Sequence, residues 1–405
     1  MRARNALRLL LIVLAGTLAL PLVASVVALR GPATVSRAAD GDPTVIATIS
    51  VGDHPCGVAL NPNSNRIYVP NHHTPTVSVI DGASNTVVAT VAVGSNPCGV
   101  AVNPNTNRIY VANWDSGSVS VIDGASNTVV ATVSVGVAPS LAVNPNTNLI
   151  YVTNYGGDSV SVIDGASNTV VATVSVGSYT QGVAVNPNTD RIYVANEGGA
   201  TVSVIDGASK TVVATVAVGS HPYAVAVNPN TNRIYVANSW SDSVSVIDGA
   251  SNTVVATVAG GTNPYGVAIN PNSNRIYVAN LNSANVSVVD GASNAVIATV
   301  AVGNGPYGVA VNPNSNRIYV PNFADDTVSV IEDIVPPTPV PSTPTAHPGV
   351  GGKVLLPPAA MATESRASTE DSGWSAGAYS ALAVVGTAVA VAGGAWYARR
   401  RWRAG

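Results

Sequence analysis

The sequence predicts an all-β fold, a seven-bladed β-propeller of four-stranded antiparallel blades, and three observations lead to it. The middle of the 405-residue chain consists of seven near-copies of a segment of about 42 residues. Each copy divides at turn residues into four short strands rich in Val, Ile and Tyr. A repeat of this length cannot bury its own faces, so the copies must stack, and four antiparallel strands per copy is the pattern of a propeller blade.

The second copy shows the four strands, which we name a, b, c and d in chain order. They cover residues 99–103, 108–113, 118–123 and 128–135. Strand a is rich in Gly and Ala, which suits the crowded centre of a ring. Strands b and c carry runs such as IYV and VSVI, which are apolar on both faces and therefore suit a blade packed between two neighbours.

The copies begin and end out of phase, and this offset predicts how the ring closes. Residues 44–51 form a d strand with no a, b or c strand before it, and residues 327–331 form a c strand with no d strand after it. We therefore predict that the N-terminal strand completes the seventh blade, which removes the free sheet edges of an open array. The predicted propeller covers residues 44–333.

Both ends of the chain predict export and membrane attachment. Residues 1–29 have a positive start and an apolar core, typical of a signal peptide that is either cleaved or kept as an anchor, and residues 30–43 form a short linker. Residues 376–398 are uncharged and long enough to span a bilayer as one C-terminal transmembrane helix, with residues 399–405 as a basic cytoplasmic tail. Residues 334–375, rich in Pro, Ser and Thr, predict a stalk that holds the propeller on the extracellular side of the cell membrane.

The composition restricts the partners. Only 10% of the residues are charged, the formal net charge is -3, and lysine occurs only at Lys210 and Lys353. Because phosphate binding needs clustered Lys and Arg, the sequence excludes nucleic acid as a partner. The membrane is the partner that the C-terminal helix predicts, and the oligomeric state stays open.

Several strings in the repeats resemble those of the YVTN family of bacterial and archaeal surface β-propellers. They are the YVTN of residues 151–154, the VSVIDG and VATV-x-VG strings, and Pro-x-Gly-Val-Ala before Asn-Pro-Asn. The resemblance covers about residues 44–333 and implies a seven-bladed propeller of a prokaryotic surface type. Members of that family are mostly exported or surface-layer proteins with no settled activity, while similar propellers serve as lactonases, lyases or redox-enzyme domains.

Comparison of the copies with one another separates two faces of the ring. The a-to-b turns (NPNSNR, NPNTNR) and the c-to-d turns (DGASNT) hardly vary, and their Asn, Asp, Gly and Pro residues supply the turn geometry. In most copies an Arg begins strand b beside the Asp that ends strand c, and such a cross-strand pair contributes about 0.2 to 1 kcal/mol. We interpret this face, the lower face, as structural.

The opposite face, the upper face, consists of the b-to-c and d-to-a loops, and these differ from blade to blade. Aromatic, His and Asp residues are gathered there, and loops on a rigid scaffold commonly carry recognition. We predict that this face binds a glycan, a peptide or another surface protein. The predicted binding residues are His54, His72, His73, Trp114, Tyr155, Tyr179, His221, Tyr223, Trp240, Tyr265, Tyr307 and Phe323.

Two cysteines occupy equivalent positions in adjacent blades, just before strand a, where we expect side chains at the mouth of the central channel. Cys56 and Cys98 are free thiols, a disulfide or part of a metal site. The metal alternative has His54, Cys56, His72 and Cys98 as ligands and a divalent Cu or Zn ion, since these metals favour thiolate and imidazole. No other cofactor is predicted.

The function predicted from these features is that of a membrane-tethered, noncatalytic recognition, adhesion or cell-envelope scaffold module that uses the upper face. The acidic residues of the loops are spread over five blades, which does not indicate a paired acid and base. The alternative is a lyase-like, lactonase-like or redox propeller that depends on a metal at the channel mouth.

Overall fold

The computed structural model describes residues 42–334, and it confirms the prediction of a seven-bladed propeller of four-stranded antiparallel sheets. The predicted signal peptide, membrane span and basic tail lie outside these residues. So do all but the last two residues of the linker and all but the first residue of the stalk. Between residues 42 and 334, no helix is long and apolar enough to cross a membrane.

Each blade runs from an inner strand a to an outer strand d. Blade 1 contains β2 (Ala59–Asn61), β3 (Arg66–Asn71), β4 (Thr76–Asp81) and β5 (Thr86–Ala92). Blade 2 contains β6 (Pro97–Asn103), β7 (Arg108–Asn113), β8 (Ser118–Asp123) and β9 (Thr128–Ser134). Blade 3 contains β10 (Leu141–Asn144), β11 (Leu149–Asn154), β12 (Ser159–Asp164) and β13 (Thr169–Ser175). Blade 4 contains β14 (Thr180–Asn186), β15 (Arg191–Asn196), β16 (Thr201–Asp206) and β17 (Thr211–Ala217).

The remaining blades follow the same order. Blade 5 contains β18 (Pro222–Asn228), β19 (Arg233–Asn238), β20 (Ser243–Asp248) and β21 (Thr253–Ala259). Blade 6 contains β22 (Pro264–Asn270), β23 (Arg275–Asn280), β24 (Asn285–Asp290) and β25 (Ala295–Ala301). Blade 7 contains β26 (Ala310–Asn312), β27 (Arg317–Asn322), β28 (Thr327–Glu332) and β1 (Thr44–Ser50). Two short 3-10 turns, Tyr155–Gly157 and Glu197–Gly199, form b-to-c loops in blades 3 and 4.

The N-terminal strand β1 closes the ring, as the phase offset predicts. It pairs antiparallel with β28 as the outer strand of blade 7, with Thr44 opposite Glu332. Ile49 of β1 is buried in a cluster with Val58 of blade 1 and Val328 of blade 7. The first and last segments of the propeller are therefore joined both by sheet pairing and by apolar packing.

The hydrophobic core lies between the blades. Tyr68 of blade 1, for example, is fully buried in a cluster with Val100 and Ile109 of blade 2. Strands b and c are buried along most of their length because each lies between two neighbouring sheets. Strand d is exposed at its start and buried near its end, where Val91 of β5 is a representative residue. No blade can bury its faces without its neighbours, which is why the repeat forms a ring.

The Asn-Pro-Asn turns form a closed belt of hydrogen bonds around the lower face. The Nδ2 of Asn61 in blade 1 donates to Oδ1 of Asn107 in blade 2 at 2.7 Å, and Asn312 of blade 7 donates to Asn65 of blade 1 at 2.9 Å. Equivalent bonds join Asn103 to Asn148, Asn144 to Asp190, Asn186 to Asn232, Asn228 to Asn274, and Asn270 to Asn316. Each acceptor has a positive φ, which Asn and Asp tolerate better than most residues. The nearly constant turns thus join the blades as well as reversing the chain.

The predicted Arg–Asp pairs form within four blades. They are Arg66–Asp81, Arg108–Asp123, Arg191–Asp206 and Arg233–Asp248.

The last two arginines depart from the predicted pairing. Arg275 of blade 6 lies opposite Asp290, but its ion pair is with Asp333, which also accepts a hydrogen bond from the hydroxyl of Tyr277. Arg317 of blade 7 donates to the carbonyl oxygen of Gly82 in blade 1. The prediction was wrong for these two blades. The seventh copy ends in Glu332-Asp333 where the other copies have Asp-Gly, so it has a second carboxylate. This second carboxylate, that of Asp333, faces blade 6.

Candidate functional site

One backbone hydrogen bond recurs in every blade and brings the upper loops together. The first residue of each b-to-c loop donates its N–H to a carbonyl oxygen in the d-to-a loop, as His72 does to His54 at 3.0 Å. The other blades repeat it with Trp114 to Asn96, Tyr155 to Val137, Glu197 to Tyr179, Ser239 to His221, Leu281 to Asn263, and Phe323 to Gly305. The upper face is therefore built from seven similar loop pairs.

Acidic side chains of the b-to-c loops also hold the neighbouring loops in place. The carboxylate of Asp158 accepts a hydrogen bond from the backbone N–H of Tyr179 at 2.9 Å, and Asp242 accepts one from Asn263 at 2.7 Å. Asp326 accepts one from His54 at 2.8 Å. These carboxylates fix the loops that carry the ring side chains.

The first group of rings on the upper face is a row that crosses blades 2 to 4. The ring centroids of Trp114 and Tyr155 lie 5.3 Å apart, and those of Tyr155 and Tyr179 also lie 5.3 Å apart. Tyr179 is 51% exposed, while Trp114 and Tyr155 are half-buried. Burial, with the nearby Glu197 carboxylate adding to it, raises the pKa of Tyr155 to about 12, so this hydroxyl stays protonated and can donate. The row offers adjoining apolar faces with polar edges.

The second group is a stacked pair on blade 5. His221 and Trp240 stack with centroids 3.3 Å apart and planes 13° from parallel, and Trp240 is 63% exposed. The Nε2 of His221 lies 3.8 Å from Oε1 of Glu197, whose other oxygen accepts a hydrogen bond from Gln181 at 2.6 Å. The exposed Trp240 ring is thus stacked on a histidine that lies close to the Glu197 carboxylate.

The third group lies where blades 7 and 1 meet. The rings of His54 and His73 are 4.0 Å apart, and Phe323 contacts His54 edge-on at 4.5 Å. The Nδ1 of His54 pairs with the carboxylate of Asp53, whose other oxygen lies 3.7 Å from Nδ1 of His73. Asp53, His54 and His73 form one of the two clusters, among the residues that the structure describes, that could hold a metal ion.

Three of the predicted binding residues are buried at the centre of the ring. Tyr223, Tyr265 and Tyr307 come from equivalent positions in blades 5, 6 and 7, and their exposed fractions are 1%, 8% and 5%. Tyr223 stacks on Tyr265 at 4.0 Å, and the hydroxyls of Tyr223 and Tyr307 are 3.2 Å apart. The sequence places these rings at the channel mouth, whereas the structure packs them into a plug, because seven inner strands converge there and leave little space. In this conformation they form the floor beneath the upper face and not its surface.

The cysteines lie in the same central cluster. Cys56 and Cys98 form a disulfide, one of the three alternatives that the sequence leaves open, with Cα atoms 5.4 Å apart. His72 lies beside them, and the cluster of Cys56, His72 and Cys98 is the second group that could hold a metal ion. Burial, and to a smaller degree the neighbouring His73, lowers the pKa of His72 to about 4.

The four metal ligands predicted from the sequence therefore do not form one cluster. His72 and His73 are adjacent in the chain and join different clusters, His72 the cysteines and His73 the Asp53 carboxylate. His54 packs with His73, so it lies with the second cluster and apart from the thiols. What the sequence missed is the position of His54, because the direction in which a ring of a short loop points depends on its packing.

The sequence also missed three residues of the upper face, namely Asp53, Gln181 and Glu197. Gln181 stands at the position that Cys, Ser or Tyr fills in other blades, and it is almost fully buried with its amide bonded to Glu197. Gln181 and Glu197 both differ from the residues at the same positions of the other copies, and this difference is the signal in the sequence that could have identified them. Asp53 gave a weaker signal because acidic residues are common in turns.

Strand order, ring closure and inter-blade packing decide the structural class. This chain is a seven-bladed β-propeller. The model of the family described as "YNCE-like beta-propeller" matches residues 180–335, which cover blades 4 to 7 apart from the N-terminal strand. No curated protein matches the chain in sequence. Among solved structures, a chain of the Kuenenia stuttgartiensis Hydrazine Synthase is similar, with a TM-score of 0.62 and 22% identity over 69% of this chain and 95% of that one. At that identity the likeness shows the fold alone, and the closer YVTN relationship stays a prediction.

Proposed function

We propose that this protein is a noncatalytic recognition module whose upper face binds a glycan. The observation that carries the proposal is the pair of exposed aromatic groups on that face, namely the row that ends in the half-exposed Tyr179 and the His221–Trp240 stack. Flat aromatic faces bind the apolar faces of sugar rings, while nearby carboxylates and amides bind hydroxyl groups. The Glu197 carboxylate lies beside the stack and supplies such a polar group, while the buried Gln181 amide holds it in place.

Charge narrows the class of glycan. The b-to-c and d-to-a loops contain carboxylates such as Asp115, Asp158, Glu197 and Asp242, and they contain no Lys or Arg. An acidic face repels polyanions, so a neutral polysaccharide fits it better than a phosphorylated or carboxylated one. A ligand inside the channel mouth is less favoured, because Tyr223 and its neighbours fill the centre.

The membrane-tethered arrangement is part of the same proposal. Residues 376–398 anchor the chain in the cell membrane, the stalk holds the propeller outside the cell, and the upper face meets cell-envelope or neighbouring-cell glycans. The hydrophobicity of that segment and the arginines after it support this arrangement.

The test is binding of the purified full-length protein to a panel of immobilised neutral and anionic polysaccharides. Trp240→Ala and Trp114→Ala each remove an aromatic face, and we expect each to weaken binding to the neutral ligand by about tenfold or more, as buried aromatic anchors do. Val255→Ala, at a half-exposed apolar residue on an outer strand away from the upper face, is the control and leaves the affinity unchanged. Unchanged affinity in both tryptophan variants, or binding only to anionic ligands, would overturn the proposal.

A further inference from the structure

The cluster of Cys56, Cys98 and His72 has the composition and burial of a metal site. Both sulfurs are fully buried, and a ring nitrogen of His72 lies with them in a group whose ligand atoms are all within 4.8 Å of one another. Cys98 lies in strand a of blade 2, Cys56 lies just before strand a of blade 1, and His72 lies in the b-to-c loop of blade 1. Burial of both cysteines and the backbone hydrogen bonds from Cys56 to Pro70 and from His72 to His54 hold these residues in place, as a preorganised site requires.

The hydrogen bonding of His72 favours a role as a ligand. The ring donates a hydrogen bond to the carbonyl oxygen of Pro97, while Nδ1 is buried and has no hydrogen-bond partner. Metal-binding histidines usually donate one ring N–H to a carbonyl or carboxylate and present the other nitrogen as a lone pair. The lone pair that Nδ1 can offer is therefore not used by any hydrogen bond.

We propose that reduction of the Cys56–Cys98 disulfide opens a buried Zn²⁺ site with Cys56, Cys98 and His72 as its protein ligands, and that oxidation closes it. Two molecules of a small thiol reductant break the S–S bond and become one disulfide, and the two electrons and two protons they give up leave two Cys thiols. Coordination then replaces the S–H protons with two zinc–sulfur bonds and releases the protons to water. The protein thus holds either a disulfide or a metal at the same place.

The backbone geometry suits both states. Two thiolates on one tetrahedral zinc ion lie about 3.8 Å apart, given zinc–sulfur bonds of about 2.3 Å. Cα atoms 5.4 Å apart can bring the sulfurs into bonding contact or, after side-chain rotation, to that wider separation. Three protein ligands leave a fourth position for water. The softness of two thiolates favours zinc or cuprous ions over magnesium or calcium.

The experiment compares zinc binding by the oxidised and the reduced full-length protein. The protein is reduced anaerobically with a thiol, separated from the reductant and titrated with Zn²⁺ against a chromophoric chelator. We expect the reduced protein to bind zinc at least 100-fold more tightly than the oxidised protein does, roughly the effect of adding two thiolate ligands. Co²⁺ in place of zinc should show thiolate charge-transfer absorption in the reduced protein only.

Single variants separate this site from the other histidine cluster. Cys56→Ser and His72→Ala are expected to lower zinc affinity of the reduced protein by roughly tenfold or more. The adjacent His73→Ala is the matched control, because His73 lies with Asp53 and His54, and it should leave tight binding intact. Equal zinc affinity in both redox states, an unchanged affinity in His72→Ala, or a loss in His73→Ala as large as in His72→Ala would overturn the proposal. Circular dichroism of each variant shows whether it has folded.

Discussion

At the scale of the residue, three aromatic or His side chains of the upper face stand at positions with a left-handed backbone conformation, which favours Gly and Asn. His54, Tyr179 and His221 have φ values of 54°, 54° and 52°, whereas the equivalent positions in blades 6 and 7 hold Asn263 and Gly305. A left-handed conformation costs a bulky residue such as Tyr about 1 kcal/mol more than it costs Asn or Gly. The ring at Tyr179 is therefore present despite a cost to folding, which supports a role in binding.

Tyr179→Asn should raise the free energy of unfolding by about 0.5 to 1 kcal/mol, because relief of the backbone cost exceeds the lost contact with Tyr155. The same change should weaken glycan binding. Urea unfolding and the polysaccharide assay measure the two effects on one protein. The reciprocal variant Asn263→Tyr is expected to lower stability by a similar amount without improving binding. A Tyr179→Asn protein that is less stable than the parent would show that the ring is retained for packing.

The sequence could predict which residues are unusual but not where their side chains lie. Trp240 and Tyr179 are exposed on the upper face where the loop pattern places them. Tyr223, Tyr265 and Tyr307 occupy equally unusual positions and are buried. An aromatic side chain at the channel mouth can be exposed to water or can fill the centre of the propeller. Which of the two occurs depends on the width of the channel between the seven inner strands, and no single repeat encodes that width.

At the scale of the element, the end of β28 is tied to blade 6 by a buried ion pair. Asp333 has a fully buried side chain and pairs with Arg275 of β23, whose side chain is 14% exposed. Arg233 of β19 pairs with Asp248 in the ordinary way, and its side chain is 35% exposed. The two arginines begin equivalent strands, but the Arg275 pair is buried and joins two blades, whereas the Arg233 pair is partly exposed and lies within one blade.

Arg275→Ala should lower the free energy of unfolding by about 3 kcal/mol, because it leaves the Asp333 carboxylate buried without its cation. Arg233→Ala, the matched control, should cost no more than about 1 kcal/mol, since an exposed pair contributes little. The double variant Arg275→Ala with Asp333→Asn should recover part of the loss. Equal losses from the two single variants in urea unfolding would mean that Asp333 is not held as a buried charge.

The strands themselves could be predicted closely. The boundaries expected for the second copy match β7 and β8 and fall within two residues of β6 and β9, because Asn, Pro and Gly mark the turns. The belt of Asn side chains, such as Asn61 to Asn107, could not be predicted in the same way. It joins residues of different blades, so it depends on how the sheets are rotated against one another.

At the scale of the whole molecule, one strand holds the two ends of the ring together. Within the propeller, β1 is connected to the rest of the chain only at its C-terminal end. β5, the corresponding outer strand of blade 1, is connected at both ends: its N-terminal end follows β4 of its own blade and its C-terminal end leads into blade 2. The phase offset of the repeats was enough to predict this closure. The N-terminal segment is a d strand without a blade, and the last copy is a blade without a d strand, so the first can pair only with the free edge of the second. β28 depends on β1 to cover that edge.

Ile49→Asp and Val91→Asp test this dependence with matched changes, since the two residues occupy equivalent positions in β1 and β5 and are 6% and 4% exposed. A buried carboxylate costs several kcal/mol at either position unless its strand moves into water. β1 can leave blade 7 entirely, so amides of β28 in Ile49→Asp should lose about 3 kcal/mol of protection and exchange hydrogen roughly 100-fold faster. β5 is held at both ends, so amides of β4 in Val91→Asp should lose much less. Similar exchange rates for β4 and β28 in the two variants would mean that closure of the ring does not rest on β1.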